Sequence, residues 1–483
     1  MKHATHAACW LLQALCTGCS LQPAYVRPEL PVASSYPGRP AEVPMAPADL
    51  TTAALTDWRE VLIAPRLQQL VALALANNRD LRVAALNVDK VRAQHQIQRA
   101  ALGPRLDAGA SLAGSHKPAS VSSSGKVTDT HDLSANLGVS WELDVWGRVR
   151  SLSDAAWQQY VASSHARQAV RLLLIAQVAD QYLTLQACEE QRQITQDSLS
   201  AARQTFRLMK LQFDTGTLTE LDLRLSQTRL EQAQINLAAQ TRAKAQAENA
   251  LTLLIGQALP PSPPSPPSSP QSAGPAPAPE NPLADVPVGL PSDLLQRRPD
   301  ILQAEAALRA ENANIGAARA AFFPSLSLTG TAGAMSSTLG GLFAAGSGAW
   351  TFAPVLSLPI FSGGATQARL DVAVVQRDTA VAQYEKTIQT AFKEVADGLA
   401  ARDTDALQLA AQRRYVEAQQ RRLVLAQRLY ENGLSSYLEV LAAHTELYSA
   451  RQALVTVRLD AGVHQIDLYR ALGGGWQPQG QPG

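Results

Sequence analysis

One stretch of about thirty residues, from Asp300 to Gly330, constrains this chain more than any other feature because it occurs twice. Asp300-Ile301 opens an Ala-rich helical segment that runs to Arg319-Ala320-Ala321-Phe322-Phe323-Pro324, after which Ser325-Leu326-Ser327-Leu328-Thr329-Gly330 alternates polar and apolar. At an offset of 220 residues, Asp80-Leu81 leads to Arg99-Ala100-Ala101-Leu102-Gly103-Pro104 and then to Arg105-Leu106-Asp107-Ala108-Gly109-Ala110. Proline stops the helix, and the hydrophobic period changes there from 3.6 to 2. Each copy is therefore a junction between two environments.

Strands follow each junction. Leu106, Ala108, Ala110 and Leu112 share one face of the first, and Leu133, Ala135, Leu137, Val139, Trp141, Leu143 and Val145 share one face of the second. Gly114 to Thr130 between them is polar and reads as a loop. In the second half, Ser325 to Ala334 forms a strand, Met335 to Ser347 a loop, and Trp350, Phe352, Leu356, Leu358 and Ile360 share the outer face of a further strand. Pro354 and Pro359 are awkward in a central strand.

After Trp146-Gly147 the pattern is helical as far as Phe213, a length of about 100 Å if unbroken. Small apolar residues (Ala166, Ala169, Leu173, Ala176, Leu183, Ala187) recur along it, with Asp180 interrupting. Such thin side chains let helices pack closely. A turn at Asp214 to Thr219 leads to a return helix ending at Gly256, and the second half repeats this from Gly364 to Tyr430 and from Tyr437 to Leu472. Gly216 and Gly433 match at an offset of 217, as do Leu223, Leu230 and Leu237 with Val440, Leu447 and Leu454. Only 5% of the residues are aromatic, which suits long, closely packed helices better than a thick core.

Four strands cannot close a barrel, and an open sheet edge is not tolerated in lipid, so the chain should oligomerise around a shared barrel of eight strands in a dimer or twelve in a trimer. Leu133, Trp141, Trp350 and Phe352 would face lipid; Asp132, Asn136 and Ser357 would face a wet lumen. The long helices would continue the same symmetry as a helical cylinder.

The N-terminus reads as a targeting segment, with Lys2, an apolar run from Ala7 to Leu15, and Cys16-Thr17-Gly18-Cys19. Gly18-Cys19 resembles a bacterial lipobox, although Cys16 stands where Leu is usual, and makes Cys19 the expected lipidation site. Ser20, rather than Asp, after it favours sorting to the outer membrane by the same resemblance. The chain thus divides into a signal peptide (1–18), an extended tether (19–57), a first repeat (58–256), a Pro/Ser-rich linker (257–288), a second repeat (289–475) and a short tail (476–483).

Catalytic readings are weak. His444 with Glu446 reads as a helix face, and Ser123-Ser124-Gly125-Lys126 lies in a polar loop without partner motifs. Gly473-Gly474-Gly475 follows a helix instead of opening one, so it cannot cradle a phosphate. A net charge of +1 without a basic patch gives no reason to expect nucleic acid. No metal or cofactor is expected beyond the covalent lipid.

Gly289-Leu290-Pro291-Ser292-Asp293-Leu294-Leu295-Gln296-Arg297-Arg298-Pro299-Asp300-Ile301 and Ile315-Gly316-Ala317-Ala318-Arg319-Ala320-Ala321-Phe322-Phe323-Pro324 resemble the central signature of TolC-like outer-membrane efflux lipoproteins. So do Trp141-Glu142-Leu143-Asp144-Val145-Trp146-Gly147, Pro359-Ile360-Phe361-Ser362-Gly363-Gly364 and Tyr469-Arg470-Ala471-Leu472-Gly473-Gly474-Gly475-Trp476. The resemblance implies a mainly α chain with a transmembrane β part. It also implies a homotrimer with a twelve-stranded barrel continued by a long α-helical barrel, docked to a periplasmic membrane-fusion adaptor and an inner-membrane RND-type pump. Acidic residues after the second hairpin tip narrow the mouth in that family, which puts Glu439 at the first such position, Ala442 at the next, and Asp222 at the position related to Glu439 by the repeat. Gly216, Thr217, Gly433 and Leu434 are the expected adaptor contacts. A duct for protein secretion would share this fold and is the alternative.

Overall fold

Both helix-proline-strand junctions are present and are held by two tryptophans of one motif. Trp141 donates its indole N–H to the Leu102 carbonyl at 3.0 Å, beside Pro104, and Trp146 donates to the Pro324 carbonyl at 2.9 Å while stacking on Phe323 at 4.6 Å. The intervening Asp144 accepts the Val149 and Arg150 amide protons, satisfying orphan donors at the start of the next helix. Val145 therefore lies outside the strand it was expected to join, because Asp144 has turned the chain into that helix.

The structure, a computed structural model, describes residues 21–33, 35–37, 57–123, 125–261, 283 and 298–474. In order the elements are α1 (Trp58–Val61), α2 (Pro65–Asn77), α3 (Arg79–Ala100), β1 (Arg105–Lys117), β2 (Thr128–Leu143), α4 (Arg148–Asp214), α5 (Glu220–Ile255), α6 (Pro299–Ala320), β3 (Ser325–Ser336), β4 (Gly348–Ser357), α7 (Ala365–Glu431) and α8 (Tyr437–Ala471). Cys19, the linker from 262 to 282 and the signature from 289 to 297 fall outside the described residues.

The chain divides into two units. The first holds residues 86–165 and 303–386 with the N-terminal segment to Glu29. Its sheet is antiparallel in the order β1-β2-β3-β4. Residues directly opposite one another share a face, and the register passes this relation across all four strands. Leu112 faces Leu133, Leu106 faces Val139, Trp141 faces Leu328, Leu137 faces Ala332, and Ala332 in turn faces Trp350. Every position of that face between Leu112 and Leu106, between Leu133 and Leu143, and between Trp350 and Leu356 is apolar. The opposite face carries Asp107, Ser111, Asp132, Ser134, Asn136, Ser140, Thr329, Thr331 and Thr351, with hydroxyl pairs Ser111–Ser134 at 2.8 Å and Thr331–Thr351 at 2.7 Å.

Two strand ends differ from the sequence expectation. Pairing of β1 with β2 runs out to Lys117↔Thr128, inside the stretch read as a loop. The ladder continues because backbone groups pair regardless of side-chain polarity, and a Ser115–Thr130 hydroxyl bond reinforces it. Strand β4 stops at Ser357, so Leu358 and Ile360 lie beyond it, next to Pro359, which has no N–H to donate. Pro354 lies within β4, opposite Leu328, in a strand that within this chain pairs on one side only.

The second unit holds residues 30–85, 166–302 and 387–483. Its largest core joins Trp58, Leu62, Leu67 and Leu70 of the α1–α2 corner to Leu174 and Val178 of α4, Leu251 and Ile255 of α5, and Ile466 and Tyr469 of α8. Both described ends of the linker dock on that corner: Arg66 donates to the Pro260 carbonyl, and Leu283 forms a backbone bridge with Leu62. Farther along, helices α4 and α5 meet through the thin seam Leu199, Ala202 and Ala233. Among the described residues no helix is long and apolar enough to cross a membrane.

Candidate functional site

Two helical hairpins end in the second unit, and their turns are built alike. The Gly216 N–H donates to the Phe213 carbonyl and Thr217 N–H to Gln212, both at 2.9 Å; Gly433 N–H donates to Tyr430 and Leu434 N–H to Leu429, again at 2.9 Å. This is the Schellman pattern, which satisfies the last carbonyls of a helix and requires a left-handed residue. Gly216 (φ 75°) and Gly433 (φ 72°) supply it. The tips differ in polarity: Thr217 adds a hydroxyl bond to the Gln212 carbonyl at 2.9 Å, whereas Leu434 is exposed.

The hairpins pack on each other just behind the turns. Met209 of α4 joins Leu423 and Ala426 of α7 and Tyr437, Val440 and Leu447 of α8, with Leu218, Leu223 and Tyr430 against them. Tyr430 and Tyr437 meet with ring centroids 5.7 Å apart, and Arg229 of α5 donates to the Thr445 hydroxyl of α8 at 2.8 Å.

The two acids singled out from the sequence have different surroundings. Asp222 lies in the first turn of α5, where its carboxylate accepts the Thr219 hydroxyl at 2.6 Å while its amide donates to that hydroxyl at 3.3 Å. The helix N-terminus also favours a negative charge there. Asp222 faces Tyr430, whose phenol is pushed up by burial and then by the Asp222 charge. Glu439, in the first turn of α8, is 3.6 Å from the Arg422 guanidinium, with the two side chains 61% and 47% exposed. At that exposure the pair is worth about 0–1 kcal/mol, so it adds little to stability. An open groove of about 700 Å³ includes Glu439, lined also by Leu425, Leu429, Arg414, Glu417, Arg421 and Arg422. The sequence reading missed these lining arginines, although Arg414 and Arg421 stand one heptad apart on one helix face. His444 is half-buried against Gln427 at 3.3 Å, as a helix-packing residue, and its imidazole is pushed down by burial and by Arg229 and Arg451. Among the described residues no group of acidic, histidine or cysteine side chains is arranged to hold a metal.

A second polar cluster lies deeper in this unit. Buried Arg298, from the Arg-Pro-Asp signature, donates to Asp300 at 2.6 Å, to Glu394 at 2.7 Å and to the Ala471 carbonyl at the end of α8 at 3.0 Å. Arg470 continues the chain to Glu394 and Asp467. Asp180 of α4 faces Asp467 and Arg470, with one carboxylate oxygen buried and unpaired. Burial, and then the Asp467 charge, push the Asp180 carboxyl up to about 7, against the pull of Arg470.

With this geometry in place, the chain matches the outer membrane efflux protein family over residues 70–257 and 290–474. It is 47% identical over 463 residues to the toluene efflux pump outer membrane protein TtgC of Pseudomonas putida, covering 96% of this chain and 94% of that one. A solved membrane protein from Pseudomonas aeruginosa superposes with a TM-score of 0.83 at 39% identity, covering 94% of this chain and 100% of the other. The open-state MtrE outer membrane channel of Neisseria gonorrhoeae superposes at 0.80 with 37% identity, covering 95% and 98%. The chain belongs to the outer membrane efflux protein family, a family of TolC-like transport channels. It is an outer-membrane component of an efflux pump.

The Asp180 carboxyl gives a pH prediction. Its folded pKa lies above the ordinary value, so the native state holds a proton that the unfolded chain releases, and stability falls as pH rises from about 4 to about 7. Thermal unfolding of the detergent-solubilised protein should show an Asp180→Asn variant more stable than the parent at pH 8 and close to it at pH 4. Equal displacement at both values would exclude the assignment.

Proposed function

We propose that three copies of this chain close their sheets into one twelve-stranded barrel in the outer membrane, and their helices into a long α-helical barrel that continues it. The duct passes small toxic compounds from an inner-membrane RND-type pump and a periplasmic membrane-fusion adaptor to the outside. One observation carries the reading: a four-stranded sheet with two unpaired edges and one face that is apolar from Leu106 to Leu112, from Leu133 to Leu143 and from Trp350 to Leu356. From Leu133 to Leu143 the apolar positions of β2 span about 34 Å along the strand, which a tilt of about 40° reduces to the roughly 25 Å apolar band of an outer-membrane barrel. The relative named for toluene efflux supports small apolar cargo. Twelve strands leave a wet lumen lined by Asp132, Asn136 and the hydroxyls of that face.

Cys19 carries the lipid anchor, and the tips Gly216, Thr217, Gly433 and Leu434 meet the adaptor. Three Glu439 and three Asp222 narrow the mouth around the threefold axis. Clustered like charges favour cation binding and make a closed mouth easier to open. Glu439 is the more consequential of the two, because Asp222 is tied back to Thr219.

In a host that keeps the adaptor and pump but lacks its own outer-membrane component, this chain should restore toluene tolerance. Leu137→Arg places a charge on the apolar face at a cost of roughly 2–4 kcal/mol per copy and should abolish that tolerance, while Asn136→Arg on the polar face should preserve it. A fully active Leu137→Arg would contradict the lipid-facing assignment. In planar bilayers, Glu439→Ala should weaken cation preference more than Asp222→Ala does; unchanged selectivity would remove Glu439 from the mouth.

A further inference from the structure

The N-terminal segment follows a ruled track on α6, within the first unit. Side chains at Glu305, Arg309, Asn312, Gly316 and Arg319 recur at intervals of four and three residues, which is one stripe of a helix. Arg27 grips the Glu305 carboxylate with Nε at 3.1 Å and Nη2 at 2.7 Å, Tyr25 donates its hydroxyl at 3.2 Å, and Arg309 donates at 2.7 Å while lying 4.9 Å over the Tyr25 ring. Asn312 donates to the Pro23 carbonyl at 2.8 Å and Arg319 to that of Leu21 at 3.3 Å. Between them Gly316 leaves room for the passing chain: a Cβ there would stand 2.9 Å from Gln22 Cα and 2.7 Å from the Ser151 hydroxyl.

The order of contacts is reversed, so the segment runs antiparallel to α6 and Leu21 lies beside Arg319, near the end of α6 at Ala320 and just before β3 begins at Ser325. Cys19 is two residues away, a reach of at most about 7 Å. Glu305 is only 4% exposed, and its partners from the segment are the reason a carboxylate is tolerated there. Burial acting alone would raise its pKa, and the hydrogen bonds and charges of Arg27 and Arg309 outweigh that and hold it below the usual carboxylate range.

We propose that this stripe is the seat of an N-terminal strap, and that Glu305 is the positioning residue that fixes the membrane anchor at the base of the strands. The strap converts a flexible lipid tether into one of set length, so the acyl chain and the apolar face reach the membrane together. The inference rests on acylation of Cys19.

Spin labels at Gln22→Cys and Ala321→Cys, in a full-length chain with Cys188→Ser, report the seat directly, and the mass of the N-terminal peptide reports acylation. The parent background should give one short, narrow distance. Glu305→Ala should lose that peak, and so should Gly316→Leu, which blocks the track without touching the charge cluster; both should keep the acyl mass. A narrow peak surviving in both variants would overturn the seat. An N-terminal peptide without acyl mass in the parent would overturn the anchoring role, while the distances still decide separately whether the seat exists.

Discussion

An unpaired strand edge is the constraint on which the rest of this molecule depends. In water the free amide and carbonyl groups of β1 and β4 would be solvated; in hydrocarbon each costs several kcal/mol. The proposed function sets the sheet in hydrocarbon through its apolar face, on which the register aligns side chains of all four strands. A chain with this sheet cannot complete itself. In the proposed assembly identical copies complete it, β4 of one satisfying β1 of the next and symmetry repeating the contact.

Internal duplication makes such closure economical of design. Each half brings a hairpin of strands and a hairpin of helices, and the matched Schellman turns at Gly216 and Gly433 show that the repeat persists in the backbone where the side chains have diverged. The two hairpin ends illustrate that divergence. Thr217 against Leu434 gives one polar and one apolar tip, while Asp222 accepts the Thr219 hydroxyl and Glu439 makes only a long, exposed pair with Arg422. The two tryptophans of the Trp141 to Trp146 motif link the halves, each donating to the backbone at one junction.

Much of this was legible in the sequence because it is periodic. The strand faces, the long helices, the turns and both junctions follow from spacing, and the family resemblance from contiguous motifs. What was not legible depends on pairs far apart in the chain. Arg27 and Glu305 are separated by 278 residues, and nothing local to either marks the partner. The signature residue Arg298 could be noticed, but not that it holds Glu394 and the last carbonyl of α8. The extension of β1 and β2 to Lys117 and Thr128 escaped for another reason: a polar ladder has no hydrophobic alternation to betray it.

Cross-linking of the two sheet edges is the most direct measurement of the central claim. With one cysteine placed at Ala110 on β1 and another at Phe352 on β4 in a chain lacking Cys188, a flexible bifunctional thiol reagent applied to outer membranes should link copies in a ladder that stops at three chains. A ladder stopping at two would mean a barrel of eight strands. Linkage confined within single chains would contradict a barrel shared between copies.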